Sequence, residues 1–286
     1  MKSKEAQTKT GLTRKAIEYY EAQGLLNPSR DENGYRNYSD QDVLRLSQIS
    51  GYRKLGLNLS EITDVLLSNN KKETISNIVR EKEIRNRMEE KRLRLLSQVA
   101  SGNSFEEIED DLISLESQES IYNRISKKFP GYIGQMFFVN YAPFLQGRLE
   151  TTDQLDAFNQ LIRFLDQMED LPFTEEEMRT IQEASESITI ENMESIVESK
   201  LQAVQDAEKW MEENHDIIQR YQEFKNSEDY QSMSIVKLFE KMKQFLQESD
   251  YYEVVNPLLR KMSPSYDKYY QQLSQSNEYF MKNLDK

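Results

Sequence analysis

The chain has 286 residues, of which 37% are hydrophobic and 30% charged, and its formal net charge at pH 7 is −13. This length predicts about two domains. The sequence contains no apolar run near the ~20 residues of a membrane-spanning helix, no signal-peptide core at its N-terminus and no cysteine. These features exclude disulfides and thiolate metal sites, and they predict a cytoplasmic protein.

The charge is unevenly distributed along the chain. Residues 1–100 contain 19 Lys and Arg against 14 Asp and Glu, a net charge of +5, whereas residues 101–286 contain 18 against 36, a net charge of −18. A basic segment joined to an acidic one indicates that one part of the protein meets a polyanion. The acidic part would repel nucleic acid.

The first predicted elements are two short helices joined by a turn at residues 10–13. Gly11 suits the positive φ at the end of the first helix, and Thr13 is a good N-cap for the second. The second helix starts at Arg14 and ends before Gly24. Two helices joined by a short turn that contains Gly are typical of domains whose second helix enters the DNA major groove.

A small hairpin and two more helices follow. Asn33-Gly34 is the strongest short hairpin signal, and residues 35–38 are its return strand. Ser39-Asp40 predicts the cap of a third helix, and Asn58 that of a fourth. The hairpin therefore predicts a wing that can lie along a phosphate backbone.

These motifs, in this order and spacing, resemble the winged helix-turn-helix domain of the MerR family of bacterial transcription regulators over about the first quarter of the chain. The resemblance implies that residues 1–70 bind double-stranded promoter DNA, with RNA polymerase at the same promoter. The predicted DNA-binding residues lie on the second helix, the wing and the end of the third helix: Thr13, Arg14, Lys15, Tyr19, Tyr20, Arg30, Arg36, Tyr38 and Arg53.

One residue departs from the family pattern. The family usually has an arginine just before the aromatic pair of the recognition helix, and this chain has Glu18. A carboxylate that faces phosphate is repulsive. Glu18 therefore either points elsewhere or accepts a hydrogen bond from a cytosine amino group.

Residues 71–102 predict one long, highly charged helix with a narrow apolar stripe. The resemblance implies an antiparallel coiled-coil seam of a homodimer, which sets the spacing of two DNA-binding heads. The alternative is that the stripe packs on the chain's own C-terminal part. The predicted seam residues are Ile78, Ile84, Met88, Leu95 and Val99.

Residues 103–286 predict an all-helical body, so the fold class is mostly α. Apolar residues recur at helical spacing over residues 151–168, 190–215, 232–248 and 265–284. No run alternates with period two. The family members whose ligand-binding body is a mixed sheet and helix fold are therefore a poor guide to this part.

Aromatic residues are dense in the body, above all over residues 129–145. They suit a pocket for a flat, lipophilic effector, including a cation, or simply form the core. The predicted effector-binding residues are Phe137, Phe138, Tyr141, Trp210, Tyr251 and Tyr252.

The sequence contains no recognisable catalytic or cofactor motif. His215 is the only histidine, and without cysteine it cannot assemble the usual transition-metal sites. No phosphate-binding glycine loop or nucleophile elbow is present. We predict a non-enzymatic, ligand-responsive regulator that distorts promoter DNA and has no cofactor or metal. The alternatives are a body that binds a protein partner and a constitutive DNA-bending protein.

Overall fold

The computed structural model describes residues 1–147 and 149–283. Within these ranges the protein is mostly α, with sixteen α-helices, one short 3-10 helix and a two-stranded antiparallel sheet. The predicted fold class, a winged head followed by an all-helical body, is confirmed. The chain divides into two compact units, which we call the head (Met1–Ile75) and the body (from Ser76 onward).

The head contains four helices and the wing before the chain enters a long fifth helix. Its elements are α1 (Ser3–Thr10), α2 (Arg14–Ala22), β1 (Ser29–Arg30), β2 (Arg36–Asn37), α3 (Asp40–Lys54) and α4 (Leu59–Leu67). The strands pair with Ser29 opposite Asn37 and Arg30 opposite Arg36. Fully buried apolar side chains from all four helices form the core of the head: Ala6, Ile17, Leu46, Ile49, Ile62 and Val65.

Local sequence signals set the helix ends of the head. Gly11 ends α1 with φ 68°, and Thr13 Oγ1 accepts a hydrogen bond from the Ala16 amide at the start of α2. Ser39 and Asn58 cap α3 and α4 with reciprocal side-chain bonds from the third residue of each helix. These caps satisfy amide groups that a helix start leaves unpaired, and they fix the direction in which α2 leaves the turn.

The body is built of helices alone over the residues that the structure describes. They are α5 (Lys71–Ala100, from Ser76 on), α6 (Phe105–Lys128), α7 (Tyr132–Tyr141), a 3-10 turn (Ala142–Phe144), α8 (Thr152–Gln167), α9 (Glu175–Ala184), α10 (Ile190–Gln205), α11 (Ala207–Glu213), α12 (His215–Lys225), α13 (Glu228–Ser232), α14 (Ser234–Glu248), α15 (Tyr251–Met262) and α16 (Pro264–Asn283). The region predicted as one helix over residues 190–215 breaks at Asp206 (φ −145°, ψ 82°). Leu284, the predicted end of the last helix, lies outside the described residues.

The apolar stripe of α5 packs on the body of its own chain. Ile84, Met88 and Leu95 are buried in the body's hydrophobic core, and Val99 packs against its edge. These side chains were predicted to form the dimer seam, and the structure instead supports the alternative of intramolecular packing. Leu93 and Leu96, which lie outside this stripe on α5, are 53% and 62% exposed.

Helix α7 packs against α6 and α10. Gly134 allows α7 to lie against the preceding turn, because a Cβ at that position would stand 1.9 Å from the Phe129 carbonyl oxygen. The buried Arg80 of α5 donates to Gln135 Oε1 of α7 at 2.7 Å and to the Ile188 carbonyl at 2.8 Å. These contacts fix α7 in place, and side chains on its two sides line different cavities.

Candidate nucleic-acid interface and ligand cavities

The start of α2 presents the exposed surface of the helix-turn-helix. Thr13, Arg14 and Lys15 are exposed in its first turn, and Tyr19, one turn further on, is 52% exposed. The helix N-terminus carries unpaired amide groups and a positive partial charge. Four of the nine predicted DNA-binding residues thus lie together on one surface with the properties that phosphate contacts require.

Two of the predicted DNA-binding aromatics are buried instead. Tyr20 is 7% exposed and Tyr38 is 2% exposed, so both belong to the core of the head. Tyr20 follows the fully buried Ile17 by three residues, which places both on the inward face of α2. We therefore correct their role: they support the interface from within.

Two glutamates connect α2 to the wing. Glu18 Oε1 accepts hydrogen bonds from Arg14 Nε at 2.9 Å and from Arg36 Nη1 at 3.4 Å. Glu21 Oε2 accepts from Arg36 Nε at 2.5 Å, and its other oxygen lies 3.5 Å from Arg30 Nη2. Glu18 therefore points at arginines on its own helix and on the wing, which supports the first of the two alternatives for this residue.

The ion pairs shift the protonation equilibria of their members. The hydrogen bond from Arg14 lowers the pKa of Glu18 below its ordinary value, and the hydrogen bond to Glu21 raises the pKa of Arg36. Glu18 is therefore ionised at neutral pH. Three of the arginines predicted to meet phosphate are held by carboxylates in the free protein.

Arg53 has a different local role. Its Nη1 donates to the Leu57 carbonyl at 2.9 Å, which closes the turn between α3 and α4. Its side chain is otherwise exposed. Lys15, in contrast, is exposed without a carboxylate partner within the described residues.

The sequence of the head matches a known family. Residues 1–69 match the model described as MerR HTH family regulatory protein. The head is a MerR-family helix-turn-helix domain. The family description names regulatory proteins, which agrees with the predicted non-enzymatic role for residues 1–69.

Similar proteins cover only this MerR domain. The HTH-type transcriptional regulator CueR of Salmonella typhimurium is 44% identical over 59 residues, which are 20% of this chain and 43% of CueR. HmrR of Rhizobium leguminosarum is 39% identical over 77 residues, 27% of this chain and 60% of HmrR. The mercuric resistance operon regulatory protein of Bacillus cereus is 46% identical over 59 residues, 20% of this chain and 45% of that protein. The match thus spans about half the length of these relatives and leaves the body of this chain uncovered.

The body contains a cavity of about 500 Å³, which we call the aromatic cavity. Side chains of α7, the 3-10 turn, α10, α14, α15 and α16 line it: Tyr132, Ile133, Met136, Phe137, Asn140, Tyr141, Phe144, Lys200, Phe239, Met242, Tyr252, Asn256, Tyr266, Tyr269, Tyr270 and Leu273. Its volume lies in the range that suits a drug-sized molecule.

The structure brings together three of the six predicted effector-binding residues. Phe137, Tyr141 and Tyr252 line the aromatic cavity. Tyr251 is buried directly behind it, with its hydroxyl 3.1 Å from that of Tyr141. Burial raises the pKa of Tyr141 well above its ordinary value, so this hydroxyl pair is neutral at physiological pH.

The other two predicted residues lie elsewhere. Phe138 faces the opposite side of α7 and lines a second cavity of about 360 Å³. Trp210 lies on α11 and packs edge-on against Phe280 at 6.0 Å between ring centroids. Neither residue lines the aromatic cavity, so we correct their assignment. The helical register explains Phe138, because adjacent residues of a helix face different directions.

The polar residues of the aromatic cavity were not predicted from sequence. Lys200 of α10, Asn140 of α7 and Asn256 of α15 line it. Lys200 stands in a helix with several glutamates, and helical spacing alone gave no sign that it faces the aromatics. Its ammonium nitrogen lies 3.5 Å from Asn140 Oδ1 and 5.9 Å from the centre of the Tyr269 ring.

One further surface of the body is apolar and exposed. Ile217, Tyr221 and Phe224 of α12 are 64%, 53% and 44% exposed. Their spacing of four and three residues places them on one face of the helix.

None of the helices in the described ranges combines the length and apolar character of a bilayer-crossing segment.

Proposed function

We propose that this protein is a ligand-responsive transcription regulator that binds promoter DNA through its MerR domain and distorts it. The observation that carries the proposal is the exposed α2 surface of a domain that matches the MerR family model. The family match supports DNA binding. The ligand response is our inference from the cavity in the body, and the distortion of DNA is our inference from the resemblance of the head to the family.

The DNA contacts are assigned to the surface that Thr13, Arg14, Lys15 and Tyr19 form, together with the wing arginines Arg30 and Arg36. Arg14, Lys15 and the helix N-terminus suit phosphate oxygens, and Tyr19 suits either a phosphate or a base edge. The wing arginines contact phosphate after exchanging their carboxylate partners for it. The fold of the MerR domain thus positions these arginine and lysine side chains before DNA binds.

A dimer is part of the proposal, with RNA polymerase as the further partner at the promoter. Two heads on a pseudo-palindromic site need a fixed separation. We assign the dimer contact to the exposed face of α5 that contains Leu93 and Leu96. Ile84, Met88 and Leu95 cannot form this contact, because they are buried in the core of the body. Phe105, at the start of α6, is also exposed.

The ligand response is assigned to the aromatic cavity. A site for a lipophilic molecule is a concave, largely apolar surface with a few polar groups that fix orientation. The aromatic cavity fits this description, with tyrosine and phenylalanine rings as walls and Lys200, Asn140 and Asn256 as polar groups. Ligand binding there would change the packing of α7, α10 and α16, which belong to the same body as most of α5.

The proposal is tested by selecting DNA from a random duplex library with the full chain. We expect an inverted repeat to be enriched. The double variant Arg14→Ala/Lys15→Ala should enrich nothing, while the double variant Lys261→Ala/Lys268→Ala, in the body, should select the same repeat. Failure of the wild-type protein to enrich any duplex would refute DNA recognition.

A second candidate function has one observation in its favour. The exposed Ile217, Tyr221 and Phe224 of α12 form an apolar face of the kind that docks a protein partner. In that reading the body senses a protein, and Ile217→Ser/Tyr221→Ser would abolish regulation in cells while leaving ligand binding in the aromatic cavity intact. A purely architectural role would be favoured by a body without a ligand cavity, and this body contains a cavity of ligand size.

A further inference from the structure

The charges around the aromatic cavity are unbalanced. Its lining includes one cation, Lys200, and no aspartate or glutamate, although the body as a whole is strongly acidic. Aromatic rings attract cations, but a lipophilic cation in this cavity would be repelled by Lys200 and would find no carboxylate in the lining. The lining therefore favours an anionic ligand over the cationic one that the sequence left open.

Lys200 differs from the other cation near this cavity. Arg260 lies over the Tyr270 ring at 5.0 Å, but its Nε donates to Asp267 Oδ1 at 2.5 Å, so its charge is compensated. Lys200 has no carboxylate within 4.0 Å among the residues that the structure describes. Its neighbours are a neutral amide oxygen and a tyrosine ring.

The position of Lys200 allows it to meet both a ligand and solvent. The side chain lines the cavity and is also exposed, which places the ammonium group at the cavity mouth. The surrounding side chains keep water away from the ammonium group, and this loss of hydration lowers the pKa of Lys200. An anion beside it would restore part of the lost stabilisation of the charged form.

The two asparagines of the lining differ in the groups that they offer to a ligand. The Asn256 Oδ1 accepts from the Tyr266 hydroxyl at 2.9 Å, which directs its amide nitrogen away from that bond. The Asn140 amide nitrogen is occupied by the Met136 carbonyl at 2.8 Å. Lys200 and the Asn256 amide are therefore donors that call for an acceptor on the ligand.

We propose that the aromatic cavity binds a flat aromatic molecule that carries a negatively charged group, and that Lys200 binds that group. The rings of Phe137, Tyr252 and Tyr269 stack against the flat part, and the charged group lies at the mouth. This inference rests on the proposed role of the body as a ligand-binding domain, and it specifies the class of ligand.

Two fluorescent dyes with the same skeleton test the proposal on the full chain. Anilinonaphthalene sulfonate carries one negative charge, and phenylnaphthylamine lacks the sulfonate and is neutral. We expect the anionic dye to bind about tenfold more tightly, as one charge-assisted hydrogen bond at a partly exposed site suggests. Lys200→Met should remove this difference by weakening the anionic dye alone, and Lys200→Arg should retain it.

Two control variants locate the effect. Lys237→Met, on the exposed surface of α14, removes a lysine outside the cavity lining and should leave both dyes unchanged. Tyr252→Ala removes one wall of the aromatic cavity and should weaken both dyes equally. Circular dichroism of each variant shows whether its body is folded.

The outcomes separate this inference from the proposed function. If Tyr252→Ala weakens both dyes but Lys200→Met leaves the anionic preference intact, the cavity binds ligands and the anion proposal is overturned. If neither dye binds, or neither responds to Tyr252→Ala, the aromatic cavity is not a ligand site and the ligand-responsive part of the proposed function falls as well.

Discussion

Replacement of Glu18 by glutamine should strengthen DNA binding and steepen its dependence on salt. Glu18 holds Arg14 at 2.9 Å and Arg36 at 3.4 Å in the free protein, and both arginines must leave the carboxylate to contact phosphate. Glutamine keeps the size of the side chain and a hydrogen-bond acceptor but removes the charge. Because the pKa of Glu18 is lowered, the substitution removes a full negative charge at neutral pH.

The expected magnitude follows from counterion release. Removal of the Glu18 carboxylate raises the net positive charge that each head presents to the DNA by one, which increases the slope of log affinity against log salt by about 0.9 per head. A fourfold rise in salt should then weaken the variant about 3.5-fold more than the wild type per head, or about 12-fold more for a dimer with two heads. At low salt the variant should bind more tightly than the wild type.

The assay is fluorescence anisotropy with a labelled duplex over a series of salt concentrations. Asp64→Asn is the matched control, because it removes an exposed carboxylate of α4 that has no arginine partner among the described residues. Its slope should equal that of the wild type. An unchanged slope for Glu18→Gln, or an equal increase for Asp64→Asn, would refute the competition between Glu18 and phosphate.

Three further predictions follow from the same geometry. Arg36→Ala should weaken binding to specific and random duplexes alike and reduce the slope of log affinity against log salt by about 0.9 per head, as measured by fluorescence anisotropy. An unchanged affinity and slope would show that the wing does not contact DNA. The double variant Leu93→Asp/Leu96→Asp should be a folded monomer, whereas Ile84→Asp should unfold the body because it buries a charge. Light scattering measures the oligomeric state and thermal melting measures the stability of each variant. A stable dimer of Leu93→Asp/Leu96→Asp would contradict the assignment of the dimer face. Gly134→Ala should destabilise the body by roughly 1–3 kcal/mol or more, because its Cβ would overlap the Phe129 carbonyl oxygen at 1.9 Å. Gly147→Ala, with nothing within 4 Å of its Cβ, is the matched control, and equal melting temperatures for the two would contradict the packing of α7.

The elements of the head were predictable because their signals are local. Gly11 with Thr13, Asn33 with Gly34, and Ser39 with Asp42 each set a turn or a cap within a few residues. The buried position of Tyr20 was also available from the sequence, since helical spacing places it with Ile17. The resemblance to a recognition helix predicted that Tyr19 and Tyr20 both contact DNA, although only Tyr19 is exposed.

The arrangement of the body was less predictable because it depends on distant contacts. A stripe with Ile84, Met88 and Leu95 shows that α5 needs an apolar partner, but the same stripe suits a second chain or the chain's own helices. The break at Asp206 has no proline or glycine to mark it. Lys200 is one charged residue among many in α10, and only the fold places it among the aromatics.

The measurement that tests the account most directly compares two affinities of the full chain at one salt concentration. One duplex contains the repeat enriched from the random library, and the other has the same composition in scrambled order. For a MerR-domain regulator we predict at least about a thousandfold preference for the repeat, which Arg14→Ala/Lys15→Ala abolishes. Equal affinity for the two duplexes, or a preference that survives in this variant, would contradict the account.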